Sequence, residues 1–121
     1  MKVAVSSQGK DIDALVDPRF GRARWLIFAD TEAVGWLPHD NNENVDASGG
    51  AGVQAGTTVA EHGVAALITG NVGPNAARVL AAAGISVYQV GNGVTVREAL
   101  DLLRRGELTA AQGATVEGHW G

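Results

Sequence analysis

Two arginines flank a single alanine in Phe20-Gly21-Arg22-Ala23-Arg24, and these are the first residues of the chain whose type and spacing can do chemistry. An arginine keeps its charge and offers planar donors, so Arg22 and Arg24 together suit an anion. Phe20 can shield one side of a bound group, and Lys10 adds a cation within the same polar stretch, residues 7–23. Surface arginines around an anchoring aromatic account for the same residues without any ligand. The next candidate, Gly50-Ala51-Gly52-Val53-Gln54-Ala55, fits G-x-G-x-x-A. A dinucleotide site would need an acid about 20 residues further on, where Gly70 and Asn71 stand instead. The segment reads better as a helix N-terminus with bare backbone N–H groups, open to any anion. Close helix–sheet packing explains it equally. Thr69-Gly70-Asn71-Val72-Gly73-Pro74-Asn75 is more particular. Its glycines allow close backbone approach, Pro74 starts a helix, and Asn71 or Asn75 can cap that helix or donate an amide. A well-made strand-to-helix turn is the alternative.

Other chemistry is missing. The chain has no cysteine, which removes disulfides, zinc knuckles and thiolate nucleophiles. His39, His62 and His119 are scattered without metal-ligand spacing. His62 is expected at a helix end, and His119 falls in the tail. The serines have no nucleophile-elbow context, and the strands expected at the sheet centre carry no acids for metal-dependent phosphoryl transfer. No catalytic residue and no protein metal ligand is expected, and the chain does not read as an enzyme.

Charge is distributed unevenly. The net charge of −4 argues against general nucleic-acid binding. Residues 1–28 nevertheless carry five cations against three carboxylates, whereas the rest carries four cations against ten. The positive charge therefore gathers near one early loop of an acidic protein.

These loops need strands and helices to position them. With 121 residues, 45% of them hydrophobic, the chain is of single-domain size. Strands are expected at residues 2–6, 24–30, 33–39, 64–69 and 85–90, with a short turn at Asp30-Thr31-Glu32. Helices are expected from Ala51 to about His62, from Pro74 to about Ala83, and from a Thr95–Glu98 capping box to Arg104. A polar loop fills 40–50. The order βββαβαβα implies a mixed sheet with helices on its faces. In such sheets ligands sit beyond the carboxyl ends of the parallel strands, where glycine-rich loops follow Ser6, Thr69 and Val90 and the 40–50 loop can close over the same edge. Domain 1–106 is followed by a tail, 107–121, expected to be loosely attached. The first residues read as a strand and not a signal peptide, and no apolar run reaches the ~20 residues of a membrane span, so a cytoplasmic location is expected.

The ordered set of motifs resembles the dinitrogenase iron–molybdenum cofactor-binding family, which includes small nitrogenase accessory proteins and the molybdenum–copper orange protein. The residues that carry the resemblance are Met1-Lys2-Val3-Ala4-Val5, Asp17-Pro18-Arg19-Phe20-Gly21-Arg22-Ala23, Gly50 to Ala55, Ile68 to Ala76, and Ala83-Gly84-Ile85-Ser86-Val87-Tyr88. The resemblance implies a three-layer α/β/α fold of ribonuclease-H-like type, with a five-stranded mixed sheet and one antiparallel strand. It also implies a storage or carrier role for a molybdenum-containing metal–sulfur cluster, either a Mo–Cu sulfide or one like the FeMo cofactor. Without cysteine, and with no histidine in the matched loops, binding is expected to be noncovalent. The expected contacts are Lys10, Phe20, Arg22, Arg24, Gly50, Ala51, Gly52, Val53, Gly70, Asn71, Gly73 and Asn75. A nucleotide-binding ATPase or a cluster-recipient protein is the expected kind of protein partner, and the alternative function is an interaction module that partners an ATPase with no bound cluster.

Overall fold

The structure, a computed structural model, describes residues 1–42 and 50–111. Most of the 40–50 loop, His119 and Trp120 therefore lie outside the described residues. The strands are β1 (Lys2–Ser7), β2 (Trp25–Asp30), β3 (Trp36–Asp40), β4 (Ala66–Thr69), β5 (Ser86–Gln89) and β6 (Ala110–Ala111). The described helices are α1 (Ala51–Glu61), α2 (Pro74–Ala82) and α3 (Val96–Arg104). One mixed sheet runs in the order β3-β2-β1-β4-β5-β6. The β1–β4 and β4–β5 pairs are parallel; β1–β2, β2–β3 and β5–β6 are antiparallel.

This corrects the expected five strands with one antiparallel. The sheet has six strands, and both β2 and β6 run against the rest. The extra strand is an alanine pair on β5, and alanine carries little strand signal. It lies within the first residues of the expected tail, which thus add to the sheet edge. The third strand also starts later than expected, at Trp36 and not Ala33. Residues 31–35 are spent on a wider turn with Val34 fully exposed and Gly35 at φ 147°.

Alternation along the strands builds two cores. Ala4, Leu26 and Leu67 point to one face, where Ala55 and Val59 of α1 and Ala76 and Leu80 of α2 cover them. Val3, Val5, Ile27, Ala66 and Ile68 point to the other, under Val96, Ala99 and Leu100 of α3. The result is α1 and α2 on one side of the sheet and α3 on the other. Each fully buried Leu or Ile contributes roughly 1.5–3 kcal/mol of transfer free energy. The helices stop where a left-handed glycine turns the chain, as at Gly63 (φ 69°) and Gly84 (φ 73°). No helix among the described residues is long and apolar enough to cross a membrane.

The α3 capping box is present. Thr95 accepts from the Glu98 amide at 3.1 Å, while the Glu98 carboxylate accepts from the Thr95 amide at 3.1 Å. Thr95→Ala is expected to lower stability by about 1 kcal/mol in urea denaturation.

Candidate functional site

The carboxyl ends of β1, β4 and β5 lie along one edge of the sheet, beside the start of β2 and the end of β3. The segment 17–23 crosses this edge and is pinned from several directions. Ser6 Oγ donates to the Asp17 carbonyl at 2.8 Å and lies 2.7 Å from Thr69 Oγ1, joining the ends of β1 and β4 beneath the loop. The Asp17 carboxylate accepts from the Arg19 amide at 2.9 Å, closing a local turn before the chain climbs. Arg19 bridges to Asn71, and the Phe20 amide donates to the Asn71 carbonyl at 3.3 Å. On the far side, buried Asn41 donates to the Ala23 carbonyl at 2.8 Å and ties the loop to the end of β3.

Two glycines decide how closely these pieces meet. A Cβ on Gly70 would lie 2.5 Å from Pro18 Cα and 2.7 Å from its carbonyl oxygen. A Cβ on Gly21 would lie 2.5 Å from the Gly52 amide nitrogen, at the start of α1. Segment 17–23 thus touches the 70–73 turn with one end and the α1 N-terminus with the other, backbone against backbone. Neither α1 nor α2 has a side-chain cap at its N-terminus among the described residues. Both begin at this edge, at the end of a helix dipole that favours negative charge.

The expected site residues are distributed as follows. Ala51, Gly52, Gly70 and Asn71 meet segment 17–23, which carries Arg22, while Gly50, Val53 and Gly73 adjoin them along the chain. Arg22 is exposed and makes no ion pair among the described residues. Asn75 is exposed on the first turn of α2, where its Oδ1 accepts from Arg78 and its amide NH2 is left to donate. Gly70 has its carbonyl held by Gln89 Nε2 at 2.8 Å.

Three expectations change. Phe20 is fully buried among Leu26, Ala55, Val59 and Val72, so it anchors the loop from below and does not wall a cleft. Arg24 is already committed: its guanidinium pairs with Asp40 at 2.9 Å and sits 5.0 Å from the Trp25 ring centroid. Lys10 is exposed on a separate loop that belongs to the α3 layer, where Ala14 and Ile12 carbonyls accept from the Val96 and Arg97 amides at 2.9 and 2.8 Å. That loop is fastened from outside by Asp13, which accepts from Arg97 Nε at 2.8 Å. The bond holds the Asp13 carboxyl below its ordinary range. Asp17, Ser6, Thr69 and Asn41, which hold the edge together, were not among the expected residues. Asp17 before Pro18 is the one local signal that could have found them, since Asp-Pro favours a turn.

No group of three or more His, Asp or Glu able to hold a metal exists among the described residues. With thiolates also absent from the sequence, the edge offers backbone amides, Arg22, which has no ion pair among the described residues, and an asparagine amide. That donor set suits an anion already complete in its ligands better than a bare cation.

Residues 1–106 match the family described as dinitrogenase iron-molybdenum cofactor. The chain belongs to that family. Among solved structures, it is similar to the apo form of the orange protein from Desulfovibrio gigas, at 39% identity and a TM-score of 0.92, over 95% of this chain and 96% of the other. It is also similar to a putative NifB protein from Thermotoga, at 38% identity and a TM-score of 0.82, over 97% and 98% of the two chains. No curated protein sequence matches it. The family match ends at Gly106, two residues beyond α3, and so takes in every segment that builds the edge.

Proposed function

We propose that this protein binds and carries a molybdenum-containing metal–sulfur cluster, held noncovalently at the strand-end edge, and does not transform it. The observation that carries the reading is the convergence of 17–23, 50–53 and 70–73 on one edge, within a chain of this family. A sulfide-bridged cluster is anionic and complete in its own ligands. It needs N–H donors, a cation and a fitted surface, which are the groups gathered here. The similarity to the orange protein favours a Mo–Cu sulfide over an FeMo-cofactor-like cluster. The strand order β3-β2-β1-β4-β5, with helices on both faces, supports the ribonuclease-H-like reading of the fold. Arg22 is the principal side-chain contact, Asn75 supplies an amide, and Asn71 serves mainly through the backbone that orders segment 17–23. Lys10 and Arg24 act at longer range, as part of the local positive field. The reading of an ATPase-docking module gains no support from the family.

The test is reconstitution with tetrathiomolybdate and a copper salt, followed by gel filtration. The expected result is a visible charge-transfer band that co-elutes with the protein. Arg22→Ala should weaken retention by roughly 10- to 100-fold, the value of one charge-assisted hydrogen bond. A protein that elutes colourless, or an Arg22→Ala variant that loads as well as the parent, would overturn the proposal.

A further inference from the structure

His39 and His62 lie 23 positions apart in the sequence, on β3 and at the C-terminal cap of α1. The fold brings their rings to a centroid separation of 5.2 Å at an interplanar angle of 71°. Phe28 on β2 organises both, stacking on His62 at 4.2 Å and meeting His39 edge-on at 5.9 Å. Two imidazoles on one tetrahedral ion, with metal–nitrogen bonds near 2.0–2.1 Å, hold their centroids about 5 Å apart.

His62 is also set in the tautomer a metal ligand needs. Its Nδ1 lies 2.8 Å from the Thr58 carbonyl oxygen. A carbonyl can only accept, so Nδ1 carries the proton and Nε2 keeps its lone pair. A ligating histidine commonly has its second nitrogen tethered to a carbonyl in this way. Beside His62 opens a hollow of about 370 Å³ lined by Phe28, Trp36, Leu37 and Val64, with Lys2 and Asp30 as its charged residues. It gives solvent access on the His62 side of the pair. The helix α1 spans 11 residues, about 16 Å, so His62 lies at the opposite end of it from Gly50 and Gly52, while His39 stands next to Asp40 on β3, in register with Leu26.

We propose that His39 and His62 form a two-imidazole site for a borderline divalent transition-metal cation of the Zn²⁺ and Co²⁺ kind, made of residues other than the cluster contacts. Imidazole nitrogen suits such ions, and two ligands with open positions make an exchangeable site. The site does not rest on the cluster reading and uses none of its residues.

The experiment titrates the full chain, freed of metal by a chelator, with Zn²⁺ in a calorimeter and with Co²⁺ in the visible spectrum. The expected result is one site per chain. His39→Gln and His62→Asn should each weaken it at least tenfold, since losing a ligand costs no less than losing a supporting group. The asparagine in His62→Asn keeps a donor for the Thr58 carbonyl while removing Nε2. Arg22→Ala should leave the titration unchanged, and His119→Gln controls for the remaining histidine. In the unaltered protein, Zn²⁺ should shift the ring-proton resonances of His39, His62 and Phe28 together, a readout that needs no variant. Absence of binding, binding indifferent to both substitutions, binding lost only in His119→Gln, or unmoved ring resonances would each reduce the cluster to aromatic packing and overturn the site.

Discussion

Phe20→Ala is expected to cost about 3–5 kcal/mol of folding stability, the penalty for emptying the site of a fully buried aromatic ring. The ring fills the space under segment 17–23 and packs with α1 residues Ala55 and Val59, so the cavity would open directly beneath the loop. Urea denaturation should show a lower midpoint at an unchanged slope. Phe20→Leu keeps most of the volume and is expected to cost far less. It should also load the cluster as the parent does, because the ring does not face the ligand. A ring that did act as a wall would give impaired loading in both variants, including under conditions where Phe20→Leu is fully folded. The two substitutions therefore distinguish an anchor from a contact.

Gly70→Ala is expected to cost about 3 kcal/mol, the upper end of the usual penalty for overpacking. The new methyl would meet the backbone of Pro18 at 2.5 Å, and backbone cannot swing aside as a side chain can. The 17–23 segment would have to lift from the 70–73 turn and break the Arg19–Asn71 bridge. The thermal midpoint should fall by roughly 10 °C for a chain of this size. Gly91→Ala is the control: no atom stands within 4 Å of its added methyl. It should change stability by no more than about 1 kcal/mol, in either direction. A neutral Gly70→Ala would mean that the close approach is not a feature of the folded state.

Much of the fold is legible in the sequence wherever a periodicity coincides with punctuation. Val3 and Val5 on β1, the Thr95–Glu98 box and the Gly63 and Gly84 stops each combine an apolar pattern with a residue that has a mechanical reason to be there. The hairpin is less legible. Val34 is β-branched and reads as strand, yet it stands fully exposed in the turn. The alanine pair of β6 carries no strand signal at all, and its place depends on β5 offering an edge.

The candidate site divides in the same way. Glycine-rich segments announce themselves, and their convergence follows from the strand order. What each side chain does at the edge is set by tertiary packing that no local pattern encodes. An aromatic in a polar loop looks like a ligand contact until burial shows it to be an anchor. Two arginines one residue apart look equivalent until Asp40, sixteen residues from Arg24, takes one of them. The pairing of His39 with His62 is of the same kind, made by a strand and a helix end that meet only in the folded chain.

The glycines at 21 and 70 differ in kind from those that end the helices. Neither has a positive φ; each is small because another stretch of main chain occupies the space a methyl would need. Main chain pressed on main chain leaves no joint to adjust, so the floor of the edge acts as a mould cast before any cargo arrives. Its shape cannot be retuned by changing floor residues without a cost in stability. If the edge holds the cargo as proposed, selectivity among related cargoes falls to the rim, at positions such as Arg22 and Asn75, whose side chains are exposed. A family built on this floor can diversify what it carries by changing a few exposed side chains while the scaffold beneath stays the same.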